Sequence, residues 1–478
     1  MVTEVGSEFA LNTARQWLDT CTANHPTCSR QETPPLPTRV VDVGSGTPDD
    51  DDDVRLHISR PTERSEYVAL SYCWGGPQPV LLTTTNMSEM ARGIPFPHLP
   101  QTLQDAIKVT RRLGIRFLWL DALCIVQEGD NTDKVREVNA MGQVYKNAIV
   151  TIAAASARGV SEGFLHTRTP PQSYPLPFYC GGPDKMGTAR LIFCSDNGHD
   201  NMSPLNTRGW TLQEGLLSRR MLAYGEREQV WRCQTDASKQ FPGSTLTSYR
   251  DYAVLPREAF EVAQPFTPGA AHSLWETVVS AYKDRKLSFR GDRLAAVTGV
   301  INELKPLFED ECTFGTWHKS FVRQIAWIRT NVLGRGEEDE DILPCAPAWS
   351  WASRSFAVNF MGFQPVDENC WSVMPDNRLA LNGLVRRGHD VPVRERGSWR
   401  FSWDMRSPEL MEWQFVVEYG GKEVFYFLLG YEEGREYRKL SMVLVPAENG
   451  MYRRIGLVYN YLETTAFDSE EREPVVLG

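Results

Sequence analysis

Compact apolar runs alternate with helical stripes through the first half of the chain. Runs at residues 67–72, 115–120 and 148–154 are rich in β-branched and aromatic residues, which predicts buried strands. Strands that are apolar along their whole length and alternate with helices are typical of a parallel sheet covered on both faces. The predicted fold class is therefore α/β, and ligands of such sheets bind beyond the carboxyl ends of the strands.

Two helices are predicted between these strands. The first covers residues 99–114, where Thr102 and Asp105 fit a capping box and Gly114 supplies a stop. Its apolar residues share one face: Leu103, Ala106, Ile107, Thr110 and Leu113. A second stripe predicts a helix with a buried face formed by Val135, Val138, Gly142 and Tyr145.

The pattern changes twice farther along, which predicts four segments. Residues 1–66 form an N-terminal helix and an extended arm, and residues 67–235 form the α/β domain, with an irregular insertion at about 158–206. Helical stripes dominate residues 236–356. Short alternating runs with Gly-rich turns predict an antiparallel β-rich region over residues 357–478.

Composition and charge narrow the functional class. The chain has 478 residues, 41% of them hydrophobic, and a formal net charge of −10, which disfavours a nucleic-acid-binding protein. Its ten cysteines are dispersed and do not form a disulfide framework. The first residues do not resemble a signal peptide, and no apolar run reaches the roughly 20 residues that span a bilayer. These features predict a cytoplasmic protein with reduced thiols and no membrane association.

Three soft metal ligands lie close together near the N-terminus. Cys21, His25 and Cys28 follow a short amphipathic helix with Cys-x3-His-x2-Cys spacing. A structural zinc site needs four ligands, and no partner pair is evident nearby. The alternative is a buried corner between a helix and a loop, with free thiols.

The segment Arg208–Arg219, RGWTLQEGLLSR, carries the most suggestive chemistry. In a helix, Trp210 and Glu214 share one face because they are four residues apart. An aromatic plane beside a carboxylate suits a flat cationic ring, such as a nicotinamide joined to ribose. In the alternative interpretation, Trp210 belongs to the core and Glu214 pairs with an arginine at either end of the segment.

Two further polar candidates follow predicted strands. Trp74 comes after the first strand and Asp121 directly after the second, so both would lie at the ligand-binding edge of the sheet. For Asp121 the alternative role is to cap a helix or brace a loop.

Four long motifs together resemble the heterokaryon incompatibility (HET) domain of filamentous fungi. They occur in the family's order across about residues 67–222: YVALSYCWGG, LPQTLQDAIKVTRRLGIRFLWLDALCIVQEGD, MGQVYKNAIVTIAAAS and RGWTLQEGLLSRRML. The resemblance implies a role in non-self recognition and in a cell-death response when incompatible fungal cells fuse.

The order of elements is also similar to a divergent Toll/interleukin-receptor (TIR) domain, which has a flavodoxin-like parallel sheet. Enzymatic TIR domains cleave the nicotinamide–ribose bond of NAD with a glutamate on a Trp-x-Leu-x-Glu helix, which corresponds to Glu214 here. The resemblance implies that Glu214 is catalytic, that Trp210 stacks on nicotinamide, and that NAD is a substrate, with no cofactor required. The remaining candidate substrate-binding residues are Ser71, Tyr72, Trp74, Asp121 and Arg208.

The departures from TIR domains leave a second function open. The insertion at about 158–206 and the uncharged loop Cys73-Trp74-Gly75-Gly76 are not typical of TIR domains. The alternative is a non-enzymatic adaptor that acts through homotypic contacts. Self-association and an upstream non-self recognition protein are the expected partners in either case.

Overall fold

A computed structural model describes the chain over most of its length. The described residues are 4–28, 32–44, 53–129, 131–169, 173–179, 186–192, 203–226, 229–235, 239–240, 255, 265–282, 285–329, 343, 345–354, 358–390, 399–403, 418–419, 421–432, 435–460, 467 and 472–477. They divide into two compact units. The α/β unit comprises Met1–Val262 with Thr298–Val300, and the β-rich unit comprises Ala263–Val297 with Ile301–Gly478.

Helices and strands alternate through the α/β unit. In chain order they are α1 (Glu8–Asn24), β1 (Arg39–Asp42), β2 (Arg55–Ile58), β3 (Tyr67–Ser71), α2 (Met87–Met90), α3 (Gln101–Arg112), β4 (Phe117–Trp119), α4 (Asp121–Cys124), α5 (Asn131–Asn147), β5 (Val150–Ala153), β6 (Ser173–Tyr179), β7 (Met186–Ile192), α6 (Thr211–Leu217), β8 (Arg220–Tyr224), β9 (Gln229–Cys233) and β10 (Lys239–Gln240).

One eight-stranded sheet organises this unit, in the order β10-β9-β8-β5-β3-β4-β1-β2. The four central strands, β8, β5, β3 and β4, run parallel, and antiparallel strands flank them on both sides. Every residue of the four central strands is buried, which explains their continuous apolar pattern. The prediction of an α/β fold is confirmed, and the sheet is parallel at its centre but mixed as a whole. Strands β1 and β2 extend it with residues before position 67.

The chain reverses its direction across the sheet at β3. The connection through α3 leads from β3 to its neighbour β4, and the connection through α5 then leads from β4 to β5 on the opposite side of β3. At such a reversal the carboxyl ends of the strands border a crevice, which is where ligands of open α/β sheets bind. The residues that follow β3 are therefore placed at the favoured ligand edge.

Helix α3 confirms the predicted buried face but not the predicted cap. All five residues of the predicted apolar stripe are buried. The capping box is wrong, because the helix begins after Pro100 and Thr102 donates to the Gly159 carbonyl at 3.3 Å. The carboxylate of Asp105 accepts the backbone N–H of Phe164 at 2.7 Å. Both side chains hold a distant loop instead of their own helix end.

Helix α5 buries Gly142 and Tyr145 as predicted, but its first turns bury different residues from those predicted. Val135 is 60% exposed, whereas Asp133 and Glu137 are buried. Arg39, from β1, explains the difference, since its guanidinium approaches Asp133 at 2.6 Å and Glu137 at 3.8 Å. A buried ion-pair network replaces the expected apolar contact on this turn of the helix.

The insertion at about residues 158–206 contains a β-hairpin that the sequence pattern did not predict. Strands β6 and β7 form an antiparallel hairpin, with Ser173 paired to Ile192 and Tyr179 to Met186. The prediction of an irregular segment is therefore wrong over these strands. Pro175 and Pro177 lie inside β6, and proline is otherwise an argument against a strand because it cannot donate to a ladder.

The β-rich unit begins with helices and continues as antiparallel strands. Its elements are α7 (Pro268–Tyr282), α8 (Ala295–Phe308), β11 (Cys312–Thr313), β12 (Thr316–Trp317), α9 (Phe321–Ile325), β13 (Trp327–Arg329), β14 (Val358–Phe360), β15 (Gln364–Pro365), β16 (Trp371–Val373), β17 (Leu379–Gly383), β18 (Val385–Arg387), β19 (Trp399–Trp403), β20 (Glu418–Tyr419), β21 (Lys422–Glu423), β22 (Phe425–Glu432), β23 (Arg435–Pro446), β24 (Tyr452–Asn460) and β25 (Glu473–Leu477).

Nine of these strands form one sheet, centred on β22, β23 and β24, in which only the short β24–β25 pairing among the described strands is parallel. Its core includes Phe321, Trp349, Leu440 and Leu457. Within the described residues of both units, no helix combines the length and apolarity that a membrane span requires.

Candidate functional site

A buried hydrogen bond joins the end of the central strand to helix α6. Ser71, the last residue of β3, donates its hydroxyl to Glu214 Oε2 at 2.5 Å. Ser71 is 1% exposed and Glu214 is 7% exposed. The carboxylate therefore lies against the carboxyl end of β3, at the point where the chain reverses across the sheet.

Helix α6 is held firmly over the neighbouring strand. Ser218, the residue after the helix, donates its hydroxyl to the Glu214 carbonyl oxygen at 2.6 Å and hydrogen-bonds Thr151 of β5 at 2.6 Å. Arg232 of β9 donates to the Gly215 carbonyl oxygen at 2.8 Å. These bonds satisfy carbonyl groups that a helix end leaves open, so the short helix has a fixed position. Glu214 is thereby preorganised.

Two further contacts fix the loops around this carboxylate. The indole N–H of Trp74 donates to Asp121 Oδ2 at 2.9 Å, and Asp121 Oδ1 accepts the backbone N–H of Ala122 at 2.7 Å. Arg208 Nη1 donates to the carbonyl oxygen of Tyr72 at 2.6 Å. Trp74, Asp121 and Arg208 are all partly exposed. They form a partly accessible rim, and Asp121 also braces the first turn of α4.

The electrostatic environment makes Glu214 an unusual carboxyl group. Burial raises its pKa to about 7, and the hydrogen bond from Ser71 and the charge of Arg208 limit this rise. The nearby charge of Asp121 contributes to the same rise in pKa. The pKa of Asp121 is itself raised, mainly by burial, although interactions with Tyr72 and Arg208 oppose the shift. Perturbed carboxyl groups of this kind are typical of functional sites, and also occur in structural networks.

Trp210 directly precedes α6, the helix that carries Glu214. Its backbone angles are helical, φ −61° and ψ −34°, and its carbonyl oxygen accepts the N–H of Glu214 at 3.5 Å. The indole is partly exposed. The local backbone thus gives the two side chains the helical relationship that the spacing predicts, while the stacking role of Trp210 remains a prediction.

The sequence offered no signal for one more residue of the site. Tyr145, on α5, donates its hydroxyl to the Leu70 carbonyl oxygen at 3.1 Å, and its interaction with Glu214 lowers the pKa of that carboxyl. Burial raises the pKa of Tyr145 itself well above its usual value, so it stays a neutral donor. Its position in an ordinary helical stripe made it indistinguishable from a core aromatic.

The second candidate group lies elsewhere in the α/β unit. Cys21, His25 and Cys28 come together as their spacing suggested, and Cys233 from β9 joins them. Their four ligand atoms all lie within 4.8 Å of one another. The fourth member was missed because it follows more than 200 residues later, at a strand end with no local motif.

Comparison with known families assigns the region that contains Ser71, Asp121 and Glu214. Residues 67–214 match the family described as heterokaryon incompatibility protein (HET). Searches of curated proteins and of solved structures gave no match. The matched range begins with β3 and ends at Glu214, so it encloses the buried hydrogen bond that links them. Residues 67–214 are therefore assigned to the heterokaryon incompatibility (HET) family.

Proposed function

We propose that this HET-domain protein hydrolyses NAD at the nicotinamide–ribose bond and thereby promotes regulated cell death in fungal non-self recognition. The observation that carries the proposal is the buried Glu214 carboxylate at the carboxyl end of β3. It lies where ligands of such sheets bind, and Ser71, Arg208 and Asp121 tune its pKa.

The proposed reaction uses the carboxylate as a charge stabiliser. The bond between ribose C1′ and the nicotinamide nitrogen breaks, and its electron pair leaves with nicotinamide. The sugar then carries positive charge, which a fixed carboxylate in a dry site stabilises strongly. A water oxygen bonds to C1′ and loses a proton to Glu214 or solvent, which yields nicotinamide and ADP-ribose. Trp210 supplies the aromatic plane for the nicotinamide ring.

Burial of the carboxylate sets a requirement for access. Because Glu214 is 7% exposed, a ribose can reach it only if the rim formed by Trp74, Asp121 and Arg208 moves. The Trp74–Asp121 hydrogen bond joins two members of this rim and would have to break if they moved apart. Self-association is the proposed trigger for the movement, with an upstream recognition protein as the proposed partner.

The direct test is NAD consumption by purified, concentrated full-length protein. Wild type should release nicotinamide and ADP-ribose, while Glu214→Gln, which keeps the shape and a hydrogen-bond acceptor for Ser71, should lose at least about 100-fold in rate. Glu66→Gln, an exposed glutamate before β3, is the matched control and should retain wild-type turnover. Equal, negligible turnover of wild type and Glu214→Gln, even when the protein is clustered artificially, would refute NAD hydrolysis.

One observation favours a second function, an adaptor without catalysis. The Glu214 carboxylate already has a buried partner in Ser71, and Asp121 already braces Ala122 and Trp74. Polar groups that are satisfied in this way also serve purely structural roles. In the adaptor case, Glu214→Gln would retain cell killing when expressed in fungal cells, whereas the NAD-hydrolase proposal requires killing to be lost.

A further inference from the structure

Four soft ligand atoms converge on one point beside the sheet of the α/β unit. Cys21, Cys28 and Cys233 are fully or almost fully buried, and His25 is half-buried. The Sγ atom of Cys233 lies 3.4 Å from Nδ1 of His25, and the four ligand atoms are all within 4.8 Å of one another. This group, the Cys3His cluster, plays no part in the proposed NAD chemistry.

Local backbone structure explains how three of the ligands face each other. Cys21 lies in the last turn of α1, and the His25 N–H caps that turn by donating to the Cys21 carbonyl oxygen at 3.2 Å. A tight turn over Pro26–Cys28 follows, in which the Cys28 N–H donates to the His25 carbonyl oxygen at 2.9 Å. Cys233, the last residue of strand β9, reaches the same point although it lies more than 200 residues later in the chain.

The spacing of the ligand atoms suits a tetrahedral metal ion. Zinc bonds of about 2.3 Å to sulfur and about 2.0–2.1 Å to nitrogen place tetrahedral ligand atoms roughly 3.6–3.8 Å apart. The observed 3.4 Å between Cys233 and His25, and the 4.8 Å limit for the whole cluster, require only small adjustments to reach that geometry. Three thiolates and one imidazole form a closed ligand set that favours zinc over harder cations.

A buried arginine supplies the charge that such a site needs. Zinc with three thiolates and a neutral imidazole carries a net charge of −1. Arg220 is 3% exposed and donates to Cys21 Sγ at 3.2 Å, to the Cys28 carbonyl oxygen at 2.5 Å and to the Ile149 carbonyl oxygen at 3.2 Å. No carboxylate pairs with Arg220 among the residues that the structure describes. A buried cation needs a compensating anion, which the metal-bound thiolates provide.

Strand pairing and nearby hydroxyl groups reinforce the arrangement. The β8–β9 register sets Arg220 directly opposite Cys233, so one strand pair contributes both a ligand and the compensating cation. Hydroxyl oxygens of Thr27 and Thr235 lie 3.8 Å and 3.6 Å from Cys28 Sγ and hydrogen-bond each other at 2.6 Å. Such outer contacts orient metal ligands and are a regular part of zinc sites.

We propose that Cys21, His25, Cys28 and Cys233 bind one structural zinc ion, which fastens α1 and the turn after it to strand β9. All four coordination positions are filled by protein atoms, which is the arrangement of a structural site and leaves no position for a substrate. A disulfide between two of the thiols would not explain why the third thiol and His25 lie at the same point, nor would it supply a negative charge for Arg220.

The experiment measures metal in purified full-length protein. We expect about one zinc ion per chain by elemental mass spectrometry, and loss of that zinc in Cys28→Ser and Cys233→Ser. Cys124→Ser, which changes a buried thiol of the same unit outside the cluster, is the matched control and should keep one zinc ion. Full zinc content in both cluster variants would overturn the proposal.

A second measurement keeps the test decisive if the cluster variants do not fold. Wild type from which the metal has been removed by a chelator should bind one cobalt(II) ion and show the visible absorption of a tetrahedral thiolate site. Chelation should also make the α1 segment more sensitive to protease, and added zinc should reverse this. Metal-free wild type with no cobalt spectrum, or an intact disulfide within the cluster, would overturn the proposal. Neither measurement depends on NAD turnover.

Discussion

Replacement of Glu214 by glutamine should change how the stability of the protein depends on pH. Glutamine preserves the shape of the side chain and accepts the hydrogen bond from Ser71, but it cannot ionise. The wild-type carboxyl group has a pKa of about 7 in the folded chain, raised mainly by burial from an ordinary value of 4.5. The substitution therefore isolates the cost of holding a carboxylate in this site.

The sign and size of the effect follow from proton linkage. Because the folded-state pKa is above the unfolded-state value, the protonated carboxyl favours folding, and this contribution is fully present below pH 4.5 and lost as pH rises through about 7. The difference of 2.5 between the two pKa values (7 − 4.5) corresponds to about 3 kcal/mol in total. Between pH 5 and pH 8, wild type should lose about 2.5 kcal/mol of unfolding free energy relative to Glu214→Gln.

The assay is urea unfolding of both proteins, followed by circular dichroism at pH steps from 5 to 8. The difference in unfolding free energy between Glu214→Gln and wild type should grow steadily with pH and level off above about pH 8. Glu66→Gln, an exposed change of the same type, provides the baseline. A Glu214→Gln difference that is flat across this range would show that the carboxylate is not desolvated, and the electrostatic argument for the site would fail.

Three further predictions follow from other contacts. If NAD is hydrolysed, kcat/KM should rise with pH through about 7. Ser71→Ala should shift this rise to higher pH, because the hydrogen bond from Ser71 lowers the pKa of Glu214 and its removal raises that pKa. Asp42→Asn should cost about 1–2 kcal/mol at pH 7 in urea unfolding, with the loss shrinking below about pH 4. Burial opposes ionisation of Asp42, but two half-exposed arginines lower its pKa to about 2. Gly75→Ala should lower the melting temperature, since φ is +72° and a Cβ would lie 2.4 Å from Gly159.

Each of these predictions has its own control or contradictory outcome. An unchanged pH profile in Ser71→Ala would show that Ser71 does not affect the pKa of the group that controls the rate. A constant Asp42→Asn penalty from pH 7 to pH 3 would mean that charge is not its source. Gly93→Ala, where a Cβ meets nothing within 4 Å, should leave the melting temperature almost unchanged, and an equal effect of both glycine variants would contradict the close-approach argument.

Local sequence patterns were sufficient to predict those helices and strands that pack against apolar neighbours. Strand β3 and the stripe of α3 that includes Leu103 and Ala106 were predicted because burial and periodicity coincide there. The prediction that Val135 is buried was wrong, because this part of α5 packs against the guanidinium of Arg39, about a hundred residues earlier in the chain. The buried side chains there are therefore the carboxylates that pair with Arg39. Hydrophobic patterning has no means of showing such a charge in advance.

The candidate site was predictable to a similar extent. Trp210 and Glu214 were identified within one motif, because helical spacing is a local property. Ser71 was a candidate only through family resemblance, and its hydrogen bond to Glu214 was not predicted. Tyr145 and Cys233 were missed as members of their sites. These contacts are fixed by the order of strands in the sheet, which a single sequence does not display.

The chain separation between Ser71 and Glu214 has a consequence for when the site comes into being. The carboxylate is synthesised 143 residues after the serine that binds it, which corresponds to roughly 7–30 s of translation at about 5–20 residues per second. A nascent chain that has emerged only as far as β5 has the end of β3 without its acidic partner. The site therefore forms only after α6 docks, so an unfinished chain that ends before α6 carries Ser71 without the carboxylate that completes the site.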